Sequence, residues 1–128
     1  MTYLLDTHTF LWFITDDVQL SKTAKQLIED GEQALYLSIA SVWELAIKVS
    51  VGKLAMPTPF ETFVSDQLRE NNIGLLEIKV AHTGRVAILP FHHRDPFDRL
   101  IIAQALSEQW PIIGKDALFD TYSVQRLW

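Results

Sequence analysis

The chain contains no cysteine. That excludes disulfides, thiolate zinc sites and cysteine nucleophiles, and it is the usage expected of a reducing compartment. Positive charge is also scarce: 16 Asp and Glu against 11 Lys and Arg give a formal net charge of −5. A protein that held nucleic acid mainly through counterion release would be basic, so a general nucleic-acid coat is excluded. A carboxylate-rich active site approached over local basic residues is not, and the balance leaves room for a basic partner. Long apolar runs are missing too. The N-terminal apolar stretch has no basic region before it and is interrupted by Asp6, His8 and Asp16, so it reads as neither a signal peptide nor a membrane span. The expectation is a cytoplasmic protein with no membrane partner. There is no repeat, low-complexity segment or internal linker.

What is present is an ordinary globular composition, 48% apolar and 21% charged over 128 residues, which predicts a single domain spanning 1–128. Residues 2–5 read as a short buried strand and Thr9–Ile14 as a short helix. Ser21 caps a helix over 21–28 that Gly31 ends, and Leu35–Leu37 is the second strand. Ser38 opens a third helix closed by Gly52. Thr58-Pro59-Phe60-Glu61 has the form of an N-cap, a proline at N1 and a capping-box glutamate. The helix it starts runs to about Asn71. A strand over Leu75–Lys79 and a helix over 80–89 follow. Asp95-Pro96 starts a helix running to about Gln109, and strands are expected at Pro111–Ile113 and Val124–Trp128. This alternation predicts an α/β three-layer sandwich with a mostly parallel central sheet.

Four acids stand out. Asp6 ends the first strand. Glu44 lies within the third helix, on a polar stripe with Ser41 and Lys48. Asp98 is in the first turn of the Asp95-Pro96 helix. Asp116 follows the strand at 111–113. In a parallel sheet Asp6 and Asp116 emerge at one end, where open α/β folds place their sites. Clustered carboxylates repel one another unless a divalent cation joins them, which points to Mg²⁺ or Mn²⁺ chemistry on phosphates. Each acid also has a plain structural alternative: Asp6 as a helix cap, Glu44 in an i,i+4 pair with Lys48, Asp98 set against a helix dipole, and Asp116 starting a turn.

The residues Tyr3-Leu4-Leu5-Asp6-Thr7-His8, the run from Ser38 to Lys48, Asp95-Pro96-Phe97-Asp98-Arg99-Leu100 and Lys115-Asp116-Ala117-Leu118-Phe119 together resemble the PIN-domain family of the VapC toxin type over essentially the full length. The resemblance implies a PIN-like fold and a Mg²⁺- or Mn²⁺-dependent endoribonuclease, the toxin of a type II toxin–antitoxin pair. It would hydrolyse RNA with metal-activated water, leaving a 5′-phosphate and a 3′-hydroxyl. Asp6, Glu44 and Asp98 match the three core acids and Asp116 the fourth. Asp6 and Asp98 are expected as main metal ligands, with Glu44 and Asp116 acting through water or on a second ion. The family often has Thr or Ser where this chain has Gly114. The implied partners are RNA, a cognate antitoxin that lays a basic side chain over the acids, and a second copy in a homodimer, for which Trp43, Ile47 and Val51 would suit a two-fold interface.

Lys48, Arg94, Arg99 and Lys115 lie next to the acids in sequence and are candidate phosphate contacts. For Lys48 and Arg99, pairing with nearby acids is an equal alternative. His92 and His93 read as RNA contacts or exposed loop residues. Trp12, Trp43 and Phe91 are candidates for base stacking, with core or interface packing as the commoner fate. Two other functional classes compete: a metal-dependent phosphohydrolase on a small phosphate substrate, and a non-catalytic binding domain of the same fold. A phosphoacceptor receiver domain fits poorly, because no acidic pair adjoins the first strand.

Overall fold

The computed structural model describes all 128 residues. Its frame is a five-stranded sheet, every neighbouring pair parallel. The strands are β1 (Thr2–Leu5), β2 (Ala34–Ser38), β3 (Ile73–Leu76), β4 (Ile112–Ile113) and β5 (Arg126–Leu127), in the order β3-β2-β1-β4-β5. The connections from β1 run outward to β2 and β3 on one side, and β4 and β5 fill the other. The topological switch therefore falls between β1 and β4, and a crevice opens beyond their carboxyl ends.

Six helices cover the sheet: α1 (Thr7–Ile14), α2 (Lys22–Glu29), α3 (Ile39–Ser50), α4 (Phe60–Glu70), α5 (Val80–Ala87) and α6 (Pro96–Glu108). Because successive strand side chains point to opposite faces, Tyr3 and Leu5 serve one core and Leu4 the other. The first core joins Phe10, Ala24, Ile28, Leu45, Val64 and Leu68 of α1–α4 to one face of the sheet. The second joins Ile101, Ile102 and Ala105 of α6, with Leu89, Phe119 and Tyr122, to the opposite face. The result is the expected three-layer α/β sandwich. Helix α6 has buried residues all round, including Arg99 and Gln104, because α5 covers the side turned away from the sheet.

Three local expectations are corrected. The helix expected from Thr58 begins at Phe60: Pro59 keeps an extended backbone (φ −72°, ψ 141°) and takes the N-cap position, so Thr58 is one residue too far out and no side chain caps α4. Strand β3 spans Ile73–Leu76 rather than 75–79, with Gly74 inside it. The ring of Tyr36 on β2 lies across Gly74, where a β-carbon would stand 2.7 Å from Cε1. Packing, not a turn, requires that glycine. Helix α1 starts at Thr7 rather than Thr9, since the Thr7 and Thr9 hydroxyls are occupied by Ser41 Oγ and the Ile113 carbonyl. The caps at Ser21, Ser38 and Asp95 form as expected, each accepting a backbone N–H.

Candidate active site

Asp6 closes β1 and occupies the N-cap position of α1, yet its side chain makes no capping hydrogen bond. The carboxylate is 4% exposed and its Oδ1 has no hydrogen-bond partner. Burial, followed by repulsion from Asp98, Glu44 and Asp116, pushes its pKa up to about 8, with the Thr7 amide as the opposing influence. The capping alternative for Asp6 therefore fails.

The Thr7 hydroxyl donates to Ser41 Oγ at 2.8 Å, tying α1 to α3 through two buried side chains. Glu44 lies three residues beyond Ser41, one helical turn along the same face, which aims it at Asp6. It is buried at 7% exposure; Oε2 lies 3.2 Å from Lys48 Nζ, and Oε1 has no partner. Lys48 is thus engaged with Glu44, as the i,i+4 alternative anticipated. His8 sits at the mouth of the site, where desolvation and then Lys48 hold its imidazole below the ordinary range.

On α6, Asp95 caps the helix by accepting the N–H groups of Phe97 and Asp98. Asp98 follows in the first turn, facing the other acids. Burial, then Asp95, raises its pKa to about 7, with Glu44 and Asp116 adding to the rise and His93 opposing it. Asp116 caps the 3₁₀ turn Ala117–Thr121, its Oδ1 accepting the Leu118 N–H at 3.0 Å. Its turn-starting role and its place among the acids coexist.

His93 is the residue that sequence reasoning missed. It was expected as an exposed or RNA-contacting loop residue; it is 8% exposed and wedged between Asp98 and Asp116, with Nε2 at 3.1 and 3.0 Å from their Oδ2 atoms. The only sequence signal is its place two residues before the Asp95 cap, whose N–H it accepts on Nδ1 at 3.2 Å. His92, its neighbour, is exposed and stacks at a tilt against Tyr122.

Arg99 is also corrected. It is not a phosphate contact: the side chain is buried at 5% exposure and donates to the carbonyls of Pro90, His93, Leu89 and Val86, under the ring of Phe91. It holds the loop that carries His93, helped by Tyr122, whose Oη accepts the His92 and His93 N–H groups and donates to the Pro90 carbonyl. Phe91 covers Arg99 with one face of its ring and is otherwise 79% exposed. Arg126, also unforeseen, grips Asp120 with two 2.9 Å contacts and donates to the Gly114 carbonyl, fixing the approach to Asp116.

Arg94 and Lys115 stay exposed, Lys115 at the cavity rim and Arg94 next to His93 in the chain. Lys115 hangs over Trp12, which stands edge-on to Trp128 and near His8. Asp6, His8, Trp12, Lys115, Asp116 and Ala117 line an open cavity of about 420 Å³ beside the acids. Trp43, Ile47 and Val51 lie outside both cores and on the surface, with Trp43 and Val51 each 60% exposed.

The donor set suits a hard divalent cation. Asp6, Glu44 and Asp98 offer oxygen donors, and two of those oxygens are buried without a partner; burial first, and repulsion from neighbouring acids second, raise the Asp6 and Asp98 pKa values, and a cation would offset both effects.

The PIN domain family model matches residues 3–124. The chain is similar to Ribonuclease VapC22 of Mycobacterium tuberculosis, 32% identical over 117 residues that cover 90% of this chain and 87% of the relative. It is also similar to Ribonuclease VapC16 of the same organism, 36% identical over 60 residues covering 47% and 43%. Among solved structures, VapBC2 from Rickettsia felis bound to a promoter DNA fragment matches with a TM-score of 0.73 at 14% identity, covering 99% of this chain and 98% of that one. FitAcB from Neisseria gonorrhoeae matches with a TM-score of 0.67 at 17% identity, covering 98% and 96%. These last two likenesses concern the fold.

Proposed function

Since the chain belongs to the PIN domain family, we propose that it is a divalent-metal-dependent endoribonuclease and the toxin of a type II toxin–antitoxin pair. The observation that carries the reading is the pair of buried, partnerless oxygens, Asp6 Oδ1 and Glu44 Oε1, inside an acidic cluster at the sheet's switch point. No cap uses the Asp6 carboxylate and Lys48 reaches only Oε2 of Glu44, so a structural role accounts for neither of these two oxygens. The names of the two mycobacterial relatives support the ribonuclease part of the reading, and the fold shared with VapBC-5 of Mycobacterium tuberculosis, a member of the VapBC family of toxin-antitoxin systems (TM-score 0.61, 19% identity), supports the antitoxin part.

Asp6, Glu44 and Asp98 would hold Mg²⁺ or Mn²⁺, with Asp116 acting at the open side. Such an ion, when bound, activates water and neutralises charge developing on the phosphoryl oxygens. The chain's own contribution is positional. β1 and the Thr7–Ser41 tie fix Asp6 against Glu44, and the Asp95 cap fixes Asp98. Asp6 and Asp98 release their protons on loading. Arg94 and Lys115 meet the phosphate backbone, and Trp12 is available to a base beside Lys115. An attack by water on phosphorus breaks the bond to the leaving oxygen and gives a phosphomonoester and a hydroxyl.

The antitoxin is expected to place a basic side chain over the same acids, for which their charge is complementary. The exposed row Ile39, Trp43 and Ile47 along α3, continued by Val51 at its C-cap, is the proposed homodimer face.

The test is cleavage of small RNA by purified protein with Mg²⁺ or Mn²⁺, against EDTA and an identically purified Asp98→Asn variant. Discrete cuts that need both metal and Asp98 support the proposal. Equal behaviour of wild type and variant would sink it, and turnover confined to small phosphate esters would favour the phosphohydrolase.

A further inference from the structure

His93 makes a set with Asp98 and Asp116 in which one ligand atom from each lies within 4.8 Å of the others. Taken by distance alone, this is a histidine–dicarboxylate metal site. The other ring nitrogen argues against it. Nδ1 accepts the Asp95 N–H at 3.2 Å, so its lone pair is committed and the ring proton is on Nε2, between the two carboxylates. A metal at Nε2 would need the lone pair there and would move the proton to Nδ1, where it would meet the Asp95 N–H donor head-on.

We propose that His93 is a positioning residue and not a metal ligand. Its Nε2–H donates to Asp116 Oδ2 at 3.0 Å and stands 3.1 Å from Asp98 Oδ2, holding the two acids beside one ring before a cation arrives and setting which of their oxygens face it. The inference rests on the reading of the acids as a metal centre and divides labour within it. Asp116 has both oxygens engaged, Oδ1 by Leu118 and Oδ2 by His93, so it acts through water. Asp6 and Glu44 each keep a free buried oxygen and, with Asp98, make the direct contacts.

The ring is held for this role. Its backbone N–H donates to Tyr122 Oη at 2.9 Å, its carbonyl accepts from Arg99, and its ring meets that of Phe119 in a T-shaped contact with centroids 5.7 Å apart. Partners that orient the ligands of a metal commonly change its affinity by about 10- to 100-fold when removed.

The experiment measures Mn²⁺ binding to metal-free protein without RNA, by calorimetry, for wild type, His93→Leu and His93→Gln. The Gln amide N–H can replace the Nε2–H donor. His93→Leu is expected to weaken binding about 10- to 100-fold, and His93→Gln to recover most of the loss. Pulsed EPR of the Mn²⁺-loaded wild type should show no directly bound nitrogen. ¹⁵N NMR of the metal-free wild type should show His93 protonated at Nε2, which needs neither a variant nor a metal. A nitrogen bound to Mn²⁺, a proton on Nδ1, or a folded His93→Leu protein that binds Mn²⁺ as tightly as wild type would each overturn the proposal. A wild type that binds no Mn²⁺ overturns the metal reading together with it. Intact binding without RNA cleavage removes only the ribonuclease reading.

Discussion

A β-carbon on Gly114 would stand 3.1 Å from the β-carbon of Asp6 and 3.5 Å from its Oδ2. The missing side chain on β4's exit lets Asp6 sit where it does on β1's exit. The hydroxyl residue common at this position in the VapC-type pattern is therefore not simply absent here; adding one forces Asp6 to yield. Gly114→Ser is expected to lower cleavage several-fold, up to about tenfold, because small displacements of a positioned group are felt in rate. Single-turnover cleavage measures it, and a rise in activity would refute the packing argument.

Asp6 and Asp98 hold protons in the fold with pKa values of about 8 and about 7, against an ordinary 3.8. Between about pH 4 and about pH 8 the folded chain binds protons that the unfolded chain has released. Their contribution to stability is complete below the unfolded value and is lost as pH rises through 7 and 8. In EDTA, Asp6→Asn should therefore unfold at higher denaturant than wild type at about pH 8, by about 1–3 kcal/mol, and the difference should shrink toward about pH 4. The same variant should be inactive. Saturating Mn²⁺ should stabilise the wild type and leave Asp6→Asn nearly unmoved. Urea melts across pH settle the matter; a variant no more stable than wild type at about pH 8 contradicts the buried-charge account.

Arg99 donates to four main-chain carbonyls from a buried position. A lysine has three rotatable donors on one atom and cannot span that set. Arg99→Lys is expected to destabilise the fold by about 2–4 kcal/mol, through carbonyls left without donors. Denaturant midpoints measure this, and a loss below about 0.5 kcal/mol would place Arg99 among ordinary surface residues.

Arg94 and Lys115 are exposed cations that adjoin His93 and Asp116 in the chain. Replacing either with Ala should leave Mn²⁺ affinity unchanged. Each should reduce the slope of log K against log salt for single-stranded RNA by about 0.7, measured by fluorescence anisotropy on an Asp98→Asn background. An unchanged slope would move the RNA path elsewhere.

The strands, most helix starts and the four acids are visible in the order of residues, because a parallel α/β chain writes its layers as alternating apolar runs and its helix starts as local caps. Asp95-Pro96 and Ser38 act over two or three residues and need nothing distant. Thr58-Pro59 has the same form and failed, since the backbone at Pro59 stays extended and the helix begins one residue late.

Tertiary structure decided whatever depends on which long side chain turns inward. Sequence proximity made Arg99 look like a phosphate contact and His93 like a loop residue. The carbonyl ends around Val86–Pro90 took the guanidinium, and the gap between Asp98 and Asp116 took the imidazole. Residues separated along the chain by Asp6–Glu44 and Asp98–Asp116 spacings meet only because β1 and β4 run parallel and side by side, with α3 tied to α1 through Thr7 and Ser41. The residue order alone therefore determined the layers, the family pattern and the four acids on which the proposed chemistry rests. Burial determined which of their oxygens are left without a partner, and no local pattern encodes that.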